Sequence, residues 1–138
     1  MSCQLCDEPG GQPVWSGESA RVVLVDDALH PGFCRVILHA HVAEMTSLDP
    51  SARAELMRLV FGVESALRAL LPVDKINLAS LGNVVPHLHW HVIPRYRGDP
   101  EFPAPIWAPA TRVPTGLPAA PSAATLRAAL KDWLGATP

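Results

Sequence analysis

The sequence predicts an α+β domain: a mostly antiparallel sheet of about five strands, one long helix and a further C-terminal helix. Three observations predict it. Short apolar, β-branched runs recur between polar or glycine-proline turns, as strands joined in hairpins do. A single apolar stripe at helical spacing runs from Leu56 to Leu70. Eight of the 15 prolines lie between Pro94 and Pro121, which separates a last helical stretch from the rest.

Pro13 to Ser16 and Arg21 to Val25 read as two strands across the polar turn Gly17-Glu18-Ser19. Pro31-Gly32 is a turn, and Cys34-Arg-Val-Ile-Leu38 is a third strand. Asp49 suits a helix N-cap and Pro50 the first helical position. Leu56, Leu59, Val60, Val63, Leu67 and Leu70 then recur at i, i+3, i+4, i+7, and Leu71-Pro72 ends the helix. Ile76 to Leu81 is a strand, Gly82-Asn83 a turn and His87 to Tyr96 a strand. The proline-rich segment that follows reads as an arm over the surface, with Phe102 and Trp107 as docking rings. Ser122 caps the last helix, whose apolar face is Leu126, Leu130, Trp133 and Leu134, and Gly135 stops it.

A chain of 138 residues is one domain's worth and can bury a core without a disulfide framework. The division expected within it is a main body over 1–109 and an arm with its helix over 110–138. A net charge of −2 argues against a partner that is a nucleic-acid polymer. No apolar run approaches the roughly 20 residues of a membrane helix, and MSCQLCDEPGG has no basic start before an apolar stretch, so a cytoplasmic, reducing setting is expected.

His87, His89 and His91 alternate with Leu88 and Trp90. In a strand they share one face, spaced about 6.5–7 Å apart, with Leu88, Trp90 and Val92 packed behind. Imidazole titrates near neutrality and serves as nucleophile, acid, base or metal ligand. Three in register out of six histidines point to chemistry on that face. Cys3-Gln-Leu-Cys6 brings two thiols to one centre, as tetrahedral zinc requires, with His39, His41 or one of the alternating histidines as further ligands. A redox dithiol is the alternative, though such sites normally lie between a strand and a helix. Cys34, in an apolar strand, reads as a buried small hydrophobe.

His87-Leu-His-Trp-His-Val-Ile93, followed by Pro94-Arg95-Tyr96, resembles the signature of the histidine triad (HIT) family, and with the N-terminal C-x-x-C it is similar to the bacterial, diadenosine polyphosphate hydrolase-like branch. The likeness extends from residue 3 to 96 and leaves 110–138 unexplained. It implies a small α+β homodimer that cleaves dinucleoside polyphosphates or AMP esters and amidates through a covalent nucleotidyl-histidine. On this resemblance His89 is the nucleophile and His91 acts beside it on the phosphate and leaving group. The resemblance also implies a structural zinc site of Cys3, Cys6, His41 and His87, with His39 the other candidate for His41's place; the rival is that His87 belongs to the active site and no metal binds. Asp26 takes the ribose hydroxyls, and Asn77 and Asn83 stand near the phosphate. Val84 occupies the position of a family serine and cannot give its hydroxyl to a phosphate. Trp107 is a candidate to reach a neighbouring subunit's pocket. The transferase branch carries glutamine in the third triad place, so His91 favours hydrolysis over nucleotidyl transfer or phosphorolysis. Other readings are a nucleotide- and zinc-binding module with little turnover, or a thiol redox protein.

Overall fold

The computed structural model describes residues 2–135. Five strands form one antiparallel sheet: β1 (Gln12–Ser16), β2 (Ala20–Leu24), β3 (Cys34–Leu38), β4 (Lys75–Ala79) and β5 (His89–Arg95), in the spatial order β1-β2-β3-β5-β4. The helices are a single turn α1 (Gln4–Asp7), the long α2 (Pro50–Leu70) and the C-terminal α3 (Ala123–Leu134). No helix among the described residues is long and apolar enough to cross a membrane.

Alternation along the strands divides the sheet into two faces. Val22, Leu24, Val36, Leu38, Val92 and Ile76 point into the main core against α2 and α3, whose Leu56, Leu59, Val63, Leu126 and Leu130 are almost fully buried. The opposite face carries Val23 and Ile37, covered by Leu5 of α1, and beside them His89 and His91. In β1 the register shifts between Pro13 and Trp15, a bulge that lets both Val14 and Trp15 turn inward. Pro94 lies in an inner strand without cost to the β3 ladder, because that pairing ends at Cys34–Val92.

Asp49 accepts from the Ala52 amide at 2.8 Å, and Ser122 from Thr125 at 3.1 Å, so both predicted caps form. Two apolar positions differ from the sequence reading. Leu70 is exposed, and the last inward residue of α2 is its C-cap Leu71. Trp133 is 53% exposed, because the two helices meet at that end through Leu134 lying over Gly62, where a side chain would collide. The C-terminal helix packs on its own chain, and Arg127 Nε donates to the Val14 carbonyl of β1 at 2.6 Å.

The proline-rich arm is pinned rather than free. Arg95 and Asp99, both buried, form a two-pronged ion pair at 2.8 and 2.9 Å. Arg112 donates to the Asp99 and Phe102 carbonyls. Buried His30 bridges Asp27 at 2.8 Å and Glu101 at 2.5 Å, which ties the arm to the β2–β3 turn.

Candidate active site and metal cluster

β5 begins at His89, and His87 lies in the bend before it. The three imidazoles therefore do not line one face. His89 and His91 share the open face with ring centroids 4.9 Å apart, whereas His87 is fully buried and turned toward the N-terminus. The bend has a consequence for His89. Its Nδ1 lies 2.6 Å from the His87 carbonyl oxygen. A carbonyl only accepts, so Nδ1 carries the proton and the neutral ring keeps its lone pair on Nε2.

His91 wedges between Phe33 and Trp107, at ring distances of 5.5 and 5.3 Å. Trp107 thus covers a histidine of its own chain. Burial first, then the charges of His89 and Arg35, push His91 down to about 4, so its ring is neutral at pH 7. Its Nδ1 is buried with no hydrogen-bond partner among the described residues. Trp90 faces the helix side and packs against the main core, as expected of a strand neighbour.

His87 donates Nε2–H to the Leu38 carbonyl at 2.6 Å, which leaves its Nδ1 lone pair facing outward. That nitrogen is 3.5 Å from Cys3 Sγ, 3.4 Å from Cys6 Sγ and 3.2 Å from His41 Nδ1, and Cys6 Sγ is 3.4 Å from His41 Nδ1. A tetrahedral zinc with its usual bond lengths to sulfur and nitrogen spaces its ligands about 3.3–3.8 Å apart, so the four donors fit such an ion. The carbonyl behind His87 is the partner a ligating histidine needs to fix its tautomer. His39 is elsewhere, with Nε2 on the Gly17 carbonyl at 2.9 Å. The helical turn α1 brings the cysteines together by donating the Cys6 and Asp7 amides to the Cys3 carbonyl. Buried Cys34 has its thiol pushed up to about 12 by desolvation, so it stays protonated.

His89 borders a cavity of about 470 Å³ with Leu5, Gly10, Gly11, Arg35 and Val85. Asp26 lines a second cavity of about 730 Å³, and Gly11 belongs to both walls. Asp27 takes the turn's local bonds, from the Leu29 and His30 amides, while Asp26 is exposed and makes no side-chain hydrogen bond among the described residues. Asn77 Oδ1 accepts from Arg95 Nη1 at 2.8 Å. His89 also borders a smaller cavity of about 260 Å³ with Ser80 and Trp90, and Asn83 and Val84, exposed in the loop before β5, line neither it nor the first. Sequence reasoning missed Arg35, which sits opposite His91 in the sheet register. The signal was present: a lone charge within the apolar run Cys34–Leu38.

A family profile described as the HIT domain matches residues 11–98, which span all five strands, α2 and the His87–His91 run. AP-4-A phosphorylase of Mycobacterium tuberculosis is 32% identical over 108 residues, covering 72% of this chain and 53% of that protein. The chain therefore spans about half the length of the curated relatives it matches. Among solved structures, a histidine triad protein from Bradyrhizobium japonicum superposes with a TM-score of 0.72 at 27% identity, covering 97% of this chain and 96% of that one. A histidine triad protein from Marinobacter aquaeolei gives 0.74 at 26% identity, over 91% and 92% of the two chains. The histidines that the sheet brings together thus lie inside a matched region covering more than half of the sequence, and the chain belongs to the HIT domain family.

Proposed function

We propose that the protein is a nucleotide-processing enzyme that hydrolyses dinucleoside polyphosphates or AMP esters and amidates through a nucleotidyl-histidine on His89. The observation that carries this reading is the 2.6 Å hydrogen bond from His89 Nδ1–H to the His87 carbonyl, which reserves Nε2 for attack. Nε2 donates its lone pair to the α-phosphorus, a nitrogen–phosphorus bond forms, and the bridging phosphorus–oxygen (or, in amidates, phosphorus–nitrogen) bond breaks with its electron pair leaving on the departing atom. Positive charge grows on the ring, and the carbonyl at Nδ1 stabilises it. Water then attacks the same phosphorus, the nitrogen–phosphorus bond breaks, and nucleoside monophosphate leaves.

His91, neutral at pH 7, acts beside it as a hydrogen-bond partner of the phosphate rather than as a cation. Asp26 takes the ribose hydroxyls from the adjoining cavity. Asn77 is assigned to the phosphate through its amide N–H groups, since its oxygen is engaged by Arg95; Asn83, assigned to the same side, lies outside the cavities that His89 borders and reaches the phosphate only if its loop moves. Cys3, Cys6, His41 and His87 hold zinc, which when bound supplies a structural cross-link and no reacting group. Through His87 that cross-link holds the carbonyl that orients His89. The protein works as a cytoplasmic homodimer.

A second reading, phosphorolysis, is favoured by the name of the Mycobacterium tuberculosis relative: orthophosphate replaces water as the acceptor and releases nucleoside diphosphate. One experiment tests both. Wild-type and His89→Gly protein are mixed with diadenosine tetraphosphate, with and without orthophosphate, and followed by intact mass and nucleotide analysis. The expected result is an AMP adduct or steady AMP release in the wild type only. ADP formed only with orthophosphate selects the second reading. Binding with no adduct and no product from any substrate overturns both and leaves a binding module.

A further inference from the structure

The cavity at Asp26 takes part of its wall from beyond the region that the family profile matches. Its volume of about 730 Å³ lies within the roughly 300–1,000 Å³ of small-molecule sites. Gly11, Val25 and Ala28 line it beside Asp26, and so do Pro118, Ala119 and Ala120 of the proline-rich arm. The match ends at residue 98, so these last three lie outside it. No lysine or arginine lines the space, and its polar side chains are Gln12, Asp26 and Asp27. Asp27 is taken by the Leu29 and His30 amides and the His30 ring. Gln12 and Asp26 make no side-chain hydrogen bond among the described residues and stay open to a ligand. An apolar wall with two open polar groups and no cation suits an uncharged ring with polar edges and disfavours a phosphate chain.

The arm is held in this place from both ends. Upstream, the His30 bridge between Glu101 and Asp27 ties it to the turn that carries Asp26. The Thr115 amide then donates to the Gly98 carbonyl at 3.0 Å, in an approach so close that a side chain at Gly98 would strike the Thr115 carbonyl. Downstream, Ser122 caps α3, whose Leu126 and Leu130 are buried in the main core. Between these anchors Pro118 and Pro121 restrict the backbone of the short span that faces the cavity. A wall fixed before a ligand arrives loses little further freedom when one binds.

A nucleotide with its ribose at Asp26 and its α-phosphate at His89 crosses between the two cavities at Gly11, which belongs to both walls. Its base is the end furthest from the phosphate and stays in the Asp26 cavity. We infer that the arm completes the nucleoside pocket, with Pro118, Ala119 and Ala120 as the wall against which the base rests. The proline ring and the methyl groups give the base an aliphatic surface, and the Gln12 amide, which both donates and accepts, lines the same cavity to meet an edge of it. The inference rests on the nucleotide reading above and deepens it: the arm recognises the uncharged nucleoside that stays bound through both chemical steps, and not the leaving group.

The test is photolabelling of the full-length protein with 8-azidoadenosine 5′-monophosphate, whose reactive group sits on the base, followed by tryptic peptide mapping. Trypsin cuts after Arg112 and Arg127, so the wall falls in peptide 113–127. The expected result is a label in that peptide that excess AMP suppresses. AMP-suppressible label confined to other peptides overturns the inference and leaves the nucleotide reading standing. If no label is AMP-suppressible, calorimetry with AMP decides, on the wild type, Asp26→Ala and the double variant Ala119→Trp/Ala120→Trp. Ala119 and Ala120 are exposed, and melting curves check that each variant folds. Filling the cavity predicts AMP binding at least about tenfold weaker in the double variant. Binding weakened in Asp26→Ala but unchanged in the double variant overturns the inference alone. No AMP binding by the wild type overturns the nucleotide reading and the inference with it.

Discussion

Asp99 is the point at which the arm is most exposed to damage. Its side chain is 0% and that of Arg95 2% accessible, and five donors converge on the two carboxylate oxygens: Arg95 Nε and Nη2 and the amides of Tyr96, Glu101 and Phe102. Asp99→Ala leaves a buried guanidinium without its counter-charge, a loss of about 3–5 kcal/mol. Against a total stability of about 5–15 kcal/mol, that is a large share. At roughly 2.1 cal/mol/K of unfolding entropy per residue, 138 residues convert it to a fall in Tm of about 10–17 °C. Urea unfolding followed by tryptophan fluorescence and circular dichroism measures it. The double variant Arg95→Met/Asp99→Asn removes both charges, keeps a side-chain oxygen for the amides of Tyr96, Glu101 and Phe102, and returns to within about 2 kcal/mol of wild type. Burial alone raises the Asp99 carboxyl, but hydrogen bonds from Arg95, Tyr96 and Phe102 and the Arg95 charge outweigh it and hold it below the usual 3.8. A carboxyl depressed by folding stabilises above its unfolded value and loses that contribution as pH falls through the folded one. The penalty of Asp99→Ala is thus full at pH 7 and shrinks below about pH 4. A cost under about 1 kcal/mol at neutral pH, or a double variant as weak as the single, would refute the reasoning by showing that Arg95 reaches water in the folded state.

Two further outcomes follow from the histidine face and the cysteine cluster. His91 falls from 6.5 to about 4 on folding, so the unfolded chain takes up a proton there first and stability declines as pH drops across that window, by about 3 kcal/mol. His91→Gln removes that part of the slope, and parallel pH–stability curves for the two proteins would contradict it. In the native protein treated with chelator, Cys3 and Cys6 become reactive to an alkylating reagent, while Cys34, 0% exposed and with its thiol near 12, reacts only in denaturant. Labelling of Cys3 and Cys6 that is the same before and after chelation would argue against a bound metal.

Much of this molecule is legible in its sequence, because the signals concerned are local. The period of two in Cys34–Leu38 and of 3.6 in the long helix, the caps Asp49 and Ser122, and the C-x-x-C turn each depend on neighbours a few residues away. The alternation of His89 and His91 is of the same kind, and both do lie on one face. His87 obeys no such period, since its ring is claimed by the Leu38 carbonyl 49 residues away and by cysteines at the other end of the chain. The choice between His39 and His41 turned likewise on the Gly17 carbonyl across the sheet. Trp107 comes to rest on its own His91 because buried pairs, Arg95 with Asp99 and His30 with Glu101, pin the arm. Leu70 and Trp133 satisfy the apolar period and still face water, for a helix face is buried only where another element meets it. Local pattern alone determines which segments are helix or strand and which side chains alternate. What shares a cavity, a carbonyl or a charge is decided only when distant segments pack, because burial and electrostatic pairing act through space and leave no period along the chain.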